Sequence, residues 1–112
     1  METIRQSKVS RLLQKEIGEI IQQEQRGLYG NSMITVTRVT ISKDMMMARV
    51  FVSLFATKDK KVLFDLVKLN TAEIRRLLAM RIRHQLRAVP ELEFIHDDTL
   101  DYLDHIDELL KQ

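Results

Sequence analysis

Arg75, Arg76, Arg81, Arg83 and Arg87 fall within thirteen residues, and no acidic residue interrupts them. A guanidinium stays charged, offers a planar fork of donors that pairs with phosphate bidentately, and stacks on bases. On a helix, Arg76, Arg83 and Arg87 project within about 40° of one another. Arg75 and Arg81 border the apolar stripe on either side, and His84 stands among them. Near the N-terminus, Lys8, Arg11 and Lys15 recur at the same period and supply a second basic strip. The chemistry these residues suit is recognition of a polyanion. The bland alternative is a solvated helix face with ion pairs to the acidic tail, and Arg81, at the edge of the core stripe, is most open to it.

Bond-making chemistry has little support. His84, His96 and His105 have Asp97, Asp98 and Asp101 nearby, but no close HxxxH pair and no third metal ligand. The aspartates suit a helix N-terminus without any catalysis. Ser-His-Asp spacing, a P-loop and a dinucleotide glycine pattern are all missing. No enzyme activity, metal or cofactor is expected. Met45, Met46 and Met47 have two readings, an adaptable contact surface or core packing, and alternation sends at least one of them inward.

The chain of 112 residues is 45% hydrophobic, enough for one domain, 1–112, with a real core. It has no cysteine, so a disulfide framework and a thiolate metal site are excluded. The opening METIRQSKVS lacks the apolar run of a signal peptide, and no stretch approaches a membrane span. A cytoplasmic protein is therefore expected. The net charge of +2 hides a division: residues 1–87 carry +9 and residues 88–112 carry −7. Such a split suggests a polyanion-binding face, with an acidic tail that could fold back on it.

The elements that must hold these residues follow from periodicity. Val9, Leu12, Leu13, Ile17, Ile20 and Ile21 predict an amphipathic helix over 4–24. RGLYGN at 26–31 ends it, MITVTRVTI at 33–41 reads as a strand, and SKD at 42–44 turns into a returning strand over 45–55. Thr57 is a cap for a helix over about 59–69, with Val62, Leu63, Leu66 and Leu69 inward. Asn70 and Glu73 have the spacing of a capping box, which predicts a break near 69–71. The following helix has Ile74, Leu77, Leu78, Ile82 and Leu86 inward and cannot pass Pro90. LEFIH at 92–96 alternates as a third strand, and 98–112 reads as an acidic helix with Leu100, Leu103, Ile106 and Leu110 inward. The strand and helix phenylalanines read as core, so no base-stacking platform is expected.

Three blocks of this sequence resemble the ribosome-binding factor A family. They are RQSKVSRLLQKEIGEII at 5–21, VTISKDMMMARVFVSLF at 39–55 and RAVPELEFIHDDTLDYLDHIDELL at 87–110. The second contains the family's turn aspartate as Asp44, and the third its Pro-Glu-Leu-x-Phe segment at Pro90 to Phe94 and the pair Asp97 and Asp98. The resemblance implies an α+β, KH-like fold, α-β-β-α-α-β, with a three-stranded sheet covered by helices on one face. No glycine lies beyond Gly30, so the GxxG loop of nucleic-acid-binding KH modules is absent. Where the family has an Ala-x-Gly kink, this chain has Asn70-Thr71-Ala72.

In function, the resemblance implies a monomeric, non-enzymatic factor for ribosome biogenesis. It would bind the immature 30S subunit through 16S rRNA and assist late maturation, including 5′-end processing. A ribosome-associated GTPase would help its release. The RNA contact would fall on Arg75, Arg76, Arg81, Arg83, His84 and Arg87, with Lys8, Arg11 and Lys15 beside them. The competing reading is a protein-interaction module acting through the acidic C-terminal helix.

Overall fold

A computed structural model describes residues 3–24, 26–29, 33–55, 57 and 59–97. The expected acidic helix at 98–112 lies outside them. The order is α1 (Ile4–Glu19), a π-helical turn (Ile20–Glu24), a 3-10 turn (Arg26–Leu28), β1 (Met33–Ile41), β2 (Met47–Phe55), α2 (Lys60–Leu69), α3 (Thr71–Ile82) and β3 (Glu91–His96). β2 is central, antiparallel to β1 and parallel to β3. This is the α-β-β-α-α-β arrangement expected from the sequence.

Alternation assigns the faces of the sheet. Ile34, Val36, Val39 and Ile41 of β1, Ala48, Val50, Val52 and Leu54 of β2, and Leu92 and Phe94 of β3 are buried. They join Val9, Leu13 and Ile17 of α1, Leu63 and Val67 of α2, and Ile74, Leu78 and Ile82 of α3 in one core. Fully burying such side chains stabilises by about 1.5–3 kcal/mol each before ordering entropy is charged. The helices therefore form a single layer on one face.

α1 is fixed to β1 by side chains as well as by apolar contact. Thr3 and Gln6 form a capping box, with Gln6 N–H to Thr3 Oγ1 at 3.1 Å and Thr3 N–H to Gln6 Oε1 at 2.8 Å. The buried Gln6 amide also donates to the Ile41 carbonyl at 3.2 Å, and Gln14 Nε2 donates to the Thr37 carbonyl at 3.3 Å. The β1–β2 register skips one residue between Val36 and Arg38, leaving Thr37 as a bulge.

Several expectations need correction. Met45 belongs to the hairpin turn, with φ 63°, and β2 begins at Met47. α2 is capped by Asp59, whose carboxylate accepts from Val62 N–H at 3.1 Å; Thr57 does not cap it. Val62 and Leu69 are 55% and 80% exposed, while Val67 is fully buried. The break between α2 and α3 is confirmed, but it is a single residue, Asn70, with no side-chain cap bond to α3. With φ −93° and ψ 8°, Asn70 turns its amide back, and Nδ2 donates to the Leu66 carbonyl at 2.8 Å. Thr71 likewise donates to the Lys68 carbonyl at 2.7 Å. The Asn-Thr pair thus closes the end of α2 instead of opening α3.

α3 ends at Ile82, well short of Pro90. β3 must begin beside Met47, where Glu91 N–H donates to the Met46 carbonyl at 2.8 Å. Seven further helical residues would advance the chain by about 10 Å along the axis. It turns instead, through Gln85 and Leu86 N–H groups that both donate to the Ile82 carbonyl. Arg83 is the C-cap of α3, still in helical conformation, whereas Arg87 lies past the turn and is not on one continuous helix with Arg76.

Candidate nucleic-acid interface

The helical layer presents two sets of cations. Lys8, Arg11 and Lys15 are exposed on α1, which turns Val9, Leu13 and Ile17 inward. Arg76 is exposed on α3, and Arg83, His84 and Arg87 are exposed in the segment that follows it. Arg83 Nε approaches His84 Nε2 at 3.3 Å. The Arg76 guanidinium is bonded to Glu73 one turn earlier, with Nε to Oε2 at 2.9 Å, and its Nη1 lies 3.4 Å from the sulfur of Met80. That hydrogen bond, followed by the charge of Arg76, holds the Glu73 carboxyl below its ordinary range and raises the guanidinium in turn. An exposed pair of this kind contributes little to stability and is readily exchanged for a stronger anion.

Arg75 and Arg81 are placed differently. Arg75 donates from Nε to the Pro90 carbonyl at 3.0 Å and from Nη2 to the Val89 carbonyl at 2.8 Å. It draws the 83–90 segment back along α3 and so delivers β3 to its register. Arg81 gathers three carboxylates: Glu16 at 3.1 Å, Glu19 at 2.8 Å and Glu24 at 3.2 Å. Its side chain is only 23% exposed. The Glu16 hydrogen bond is the main reason its pKa is raised. Arg81 thereby joins α1 and the π-helical turn to α3, so both basic strips belong to one rigid layer. Nε and Nη2 of Arg75, and Nη1 and Nη2 of Arg81, bond within the protein.

One feature is new against the expectations from the sequence, and one expected feature gains its partners. Phe51 and Phe55 are half-buried on the sheet face that carries none of the described helices, and the Arg38 guanidinium lies 4.0 Å from the Phe51 ring centre. The strand phenylalanines are therefore not core, apart from Phe94. Alternation contained the signal, because Phe51 shares a face with Met47 and Arg49. Asp44, expected as the turn aspartate, organises the hairpin turn. Its carboxylate accepts from Ser42 Oγ at 2.6 Å and from Met46 N–H at 3.0 Å. Ser42 Oγ in turn accepts from Met47 N–H at 3.0 Å.

Among the described residues no group of three or more His, Asp or Glu side chains could hold a metal ion. Among the same residues, no helix is long and apolar enough to cross a membrane. What this layer can do is bind an extended, multiply charged anion along exposed cations of fixed spacing.

Comparison with known proteins finds one family. The family model of ribosome-binding factor A matches residues 5–110. A ribosome-binding factor A from Cytophaga hutchinsonii is 41% identical over 112 residues, covering 100% of this chain and 84% of the relative. One from Flavobacterium johnsoniae is 40% identical over 111 residues, covering 98% and 85%. The crystal structure of ribosome-binding factor A from Thermus thermophilus is similar in fold, with a TM-score of 0.67 at 23% identity, over 81% of this chain and 94% of that one. A homology model of the Thermus thermophilus factor, fitted into the cryo-EM map of its complex with 30S, gives a TM-score of 0.60 at 26% identity, over 79% and 90%.

Proposed function

Because this chain belongs to the ribosome-binding factor A family, matched over residues 5–110, we propose that it is a non-enzymatic assembly factor that binds the immature 30S subunit through 16S rRNA. The observation that carries the reading is the division among the arginines. Arg83 and Arg87 are exposed and Arg76, also exposed, is paired only with the surface carboxylate of Glu73, while Arg75 bonds to the Val89 and Pro90 carbonyls and the mostly covered Arg81 bonds to three glutamates. In this reading Arg76, Arg83, His84 and Arg87, with Lys8, Arg11 and Lys15, contact phosphate. Arg75 and Arg81 hold that surface in shape and add their charge to its edge. The complex of a related Thermus thermophilus factor with 30S supports the choice of partner.

The mechanism follows from binding alone. A rigid basic layer that fits an immature RNA conformation stabilises it, near the decoding-region neck and the 5′ end, and so assists late maturation and 5′-end processing. Once the RNA matures it no longer offers the same surface, and the factor leaves by a shift of populations. A ribosome-associated GTPase acts by favouring that shift. The factor works in the cytoplasm as a monomer.

Sedimentation of the protein with immature small subunits, mature small subunits and large subunits, at two salt concentrations, tests the proposal. Selective, salt-sensitive association with the immature small subunit is the expected result. Failure of the folded protein to associate with any ribosomal particle rejects the reading. Arg76→Gln and Arg83→Gln should weaken the association while circular dichroism and thermal unfolding stay close to those of the parent.

A further inference from the structure

We propose that the groove between α3 and the segment leading into β3 holds one unpaired base of the RNA, with the Arg75 guanidinium as its stacking platform. The inference rests on the reading of this chain as an RNA-binding factor and adds a base contact to its phosphate contacts. The groove is lined by Ala72, Arg75, Arg76 and Ala79 of α3 and by Val89, and encloses about 400 Å³. The helical repeat brings positions 72, 75, 76 and 79 to one face of α3. Two of the four are alanines, and a side chain that ends at Cβ leaves the space. Arg75 is held there as a free surface arginine is not. Nε and Nη2 donate to the Pro90 and Val89 carbonyls at 3.0 and 2.8 Å. Two bonds to successive carbonyls fix the plane of the cation, so little side-chain freedom is left to lose when a ligand stacks on it.

Phosphate alone does not account for this arrangement. A phosphate pairs best with two donors on one edge of a guanidinium, and in Arg75 that edge is already bonded to carbonyls. What Arg75 still offers is its planar face and Nη1, which has no acceptor among the described residues. Its side chain is 40% exposed, and Glu91 approaches Nη2 only to 3.7 Å. A planar cation beside small apolar side chains suits the flat face of a base. Arg76 next to it is exposed and paired with the surface carboxylate of Glu73, a partner that the phosphate of the same nucleotide can replace. The volume also fits, since small-molecule sites run from about 300 to 1,000 Å³, more than a phosphate requires. The search for a stacking platform among the phenylalanines therefore looks at the wrong residue type: a clamped guanidinium does the same work without an aromatic ring.

The test titrates the whole chain with two strands of equal length and charge, octaadenylate and an abasic ribose-phosphate octamer, and follows the methyl groups of Ala72, Ala79 and Val89 by NMR. Octaadenylate should bind about tenfold more tightly, as one stacked base provides, and its ring current should move the Ala79 and Val89 methyl signals. Ala72→Leu fills the groove at an exposed helical position without changing charge. It should bring octaadenylate down to the abasic level, with circular dichroism retained. Equal affinity for the two strands, ring-current shifts found only outside the groove, or a preference that survives Ala72→Leu overturns the proposal and leaves phosphate binding in place. Binding of neither strand overturns it as well, while association with small subunits, read by sedimentation, decides the underlying reading separately.

Discussion

The Asp44 carboxylate, bonded to Ser42 Oγ and Met46 N–H, has its pKa lowered first by the serine and then by the backbone. The folded-state value lies below the unfolded one, so this stabilisation is complete above the unfolded pKa and is lost as pH falls through the folded pKa. A carbon-detected titration should show Asp44 changing at lower pH in the folded chain than in urea; equal midpoints would falsify the capping role. At Arg81 the expected change is in stability. Arg81→Ala leaves Glu16, Glu19 and Glu24 facing one another and should cost about 2 kcal/mol, the scale of a hydrogen bond to a charged group, in chemical unfolding. The sequence already marked Arg81 by its place at the border of the apolar stripe. It could not supply the partners, because Glu16 and Glu24 lie some sixty residues away in the chain and meet Arg81 only after α1 packs beside α3.

For the elements, periodicity was legible where a helix or strand has one clear buried face. The inward set Ile74, Leu78 and Ile82 of α3 is as the helical repeat requires, whereas in β1 the alternation holds on each side of the Thr37 bulge, which shifts the buried set from Ile34 and Val36 to Val39 and Ile41. In α2 four apolar candidates competed for a short helix, and a rotation of the stripe buried Val67 in place of Leu69. Packing decides that rotation: the half-buried Phe64 stacks near His96 of β3, with ring centres 5.9 Å apart. The contrast is measurable. Val67→Ala should lose about 2 kcal/mol through removed methyl groups and the cavity left behind. Leu69→Lys should stay within about 0.5 kcal/mol of the parent in the same denaturation experiment, as surface changes do. The end of α3 was less legible than its start. Pro90 sets an outer limit, but the stop at Ile82 comes from where β3 must pair and from Arg75 holding the Val89 and Pro90 carbonyls.

At the scale of the whole molecule, the sheet separates two surfaces of different character. The helical layer carries the exposed strip of Lys8, Arg11 and Lys15 on α1 and a second set, Arg76, Arg83 and Arg87, on and after α3, while among the described residues the other face mixes aromatic, aliphatic and charged groups. The phosphate-binding potential was visible in composition, and the division of labour among the arginines was not, since all five have the same formal charge. Salt can distinguish them. If about six phosphates are neutralised, affinity for RNA falls roughly a thousandfold between 50 and 200 mM salt on the duplex rule, with folded RNA following the same direction. Each phosphate-contacting residue removed should lower the steepness of that dependence by about one unit of log affinity per log salt. The double change Arg76→Gln and Arg83→Gln should therefore flatten it by about two, with unfolding little changed. Arg81→Gln should leave the steepness nearly intact and lower the unfolding midpoint, because its guanidinium is engaged by Glu16, Glu19 and Glu24. Equal flattening by Arg81→Gln, in a protein still folded, would show that RNA displaces the glutamates and that Arg81 belongs to the contact surface itself.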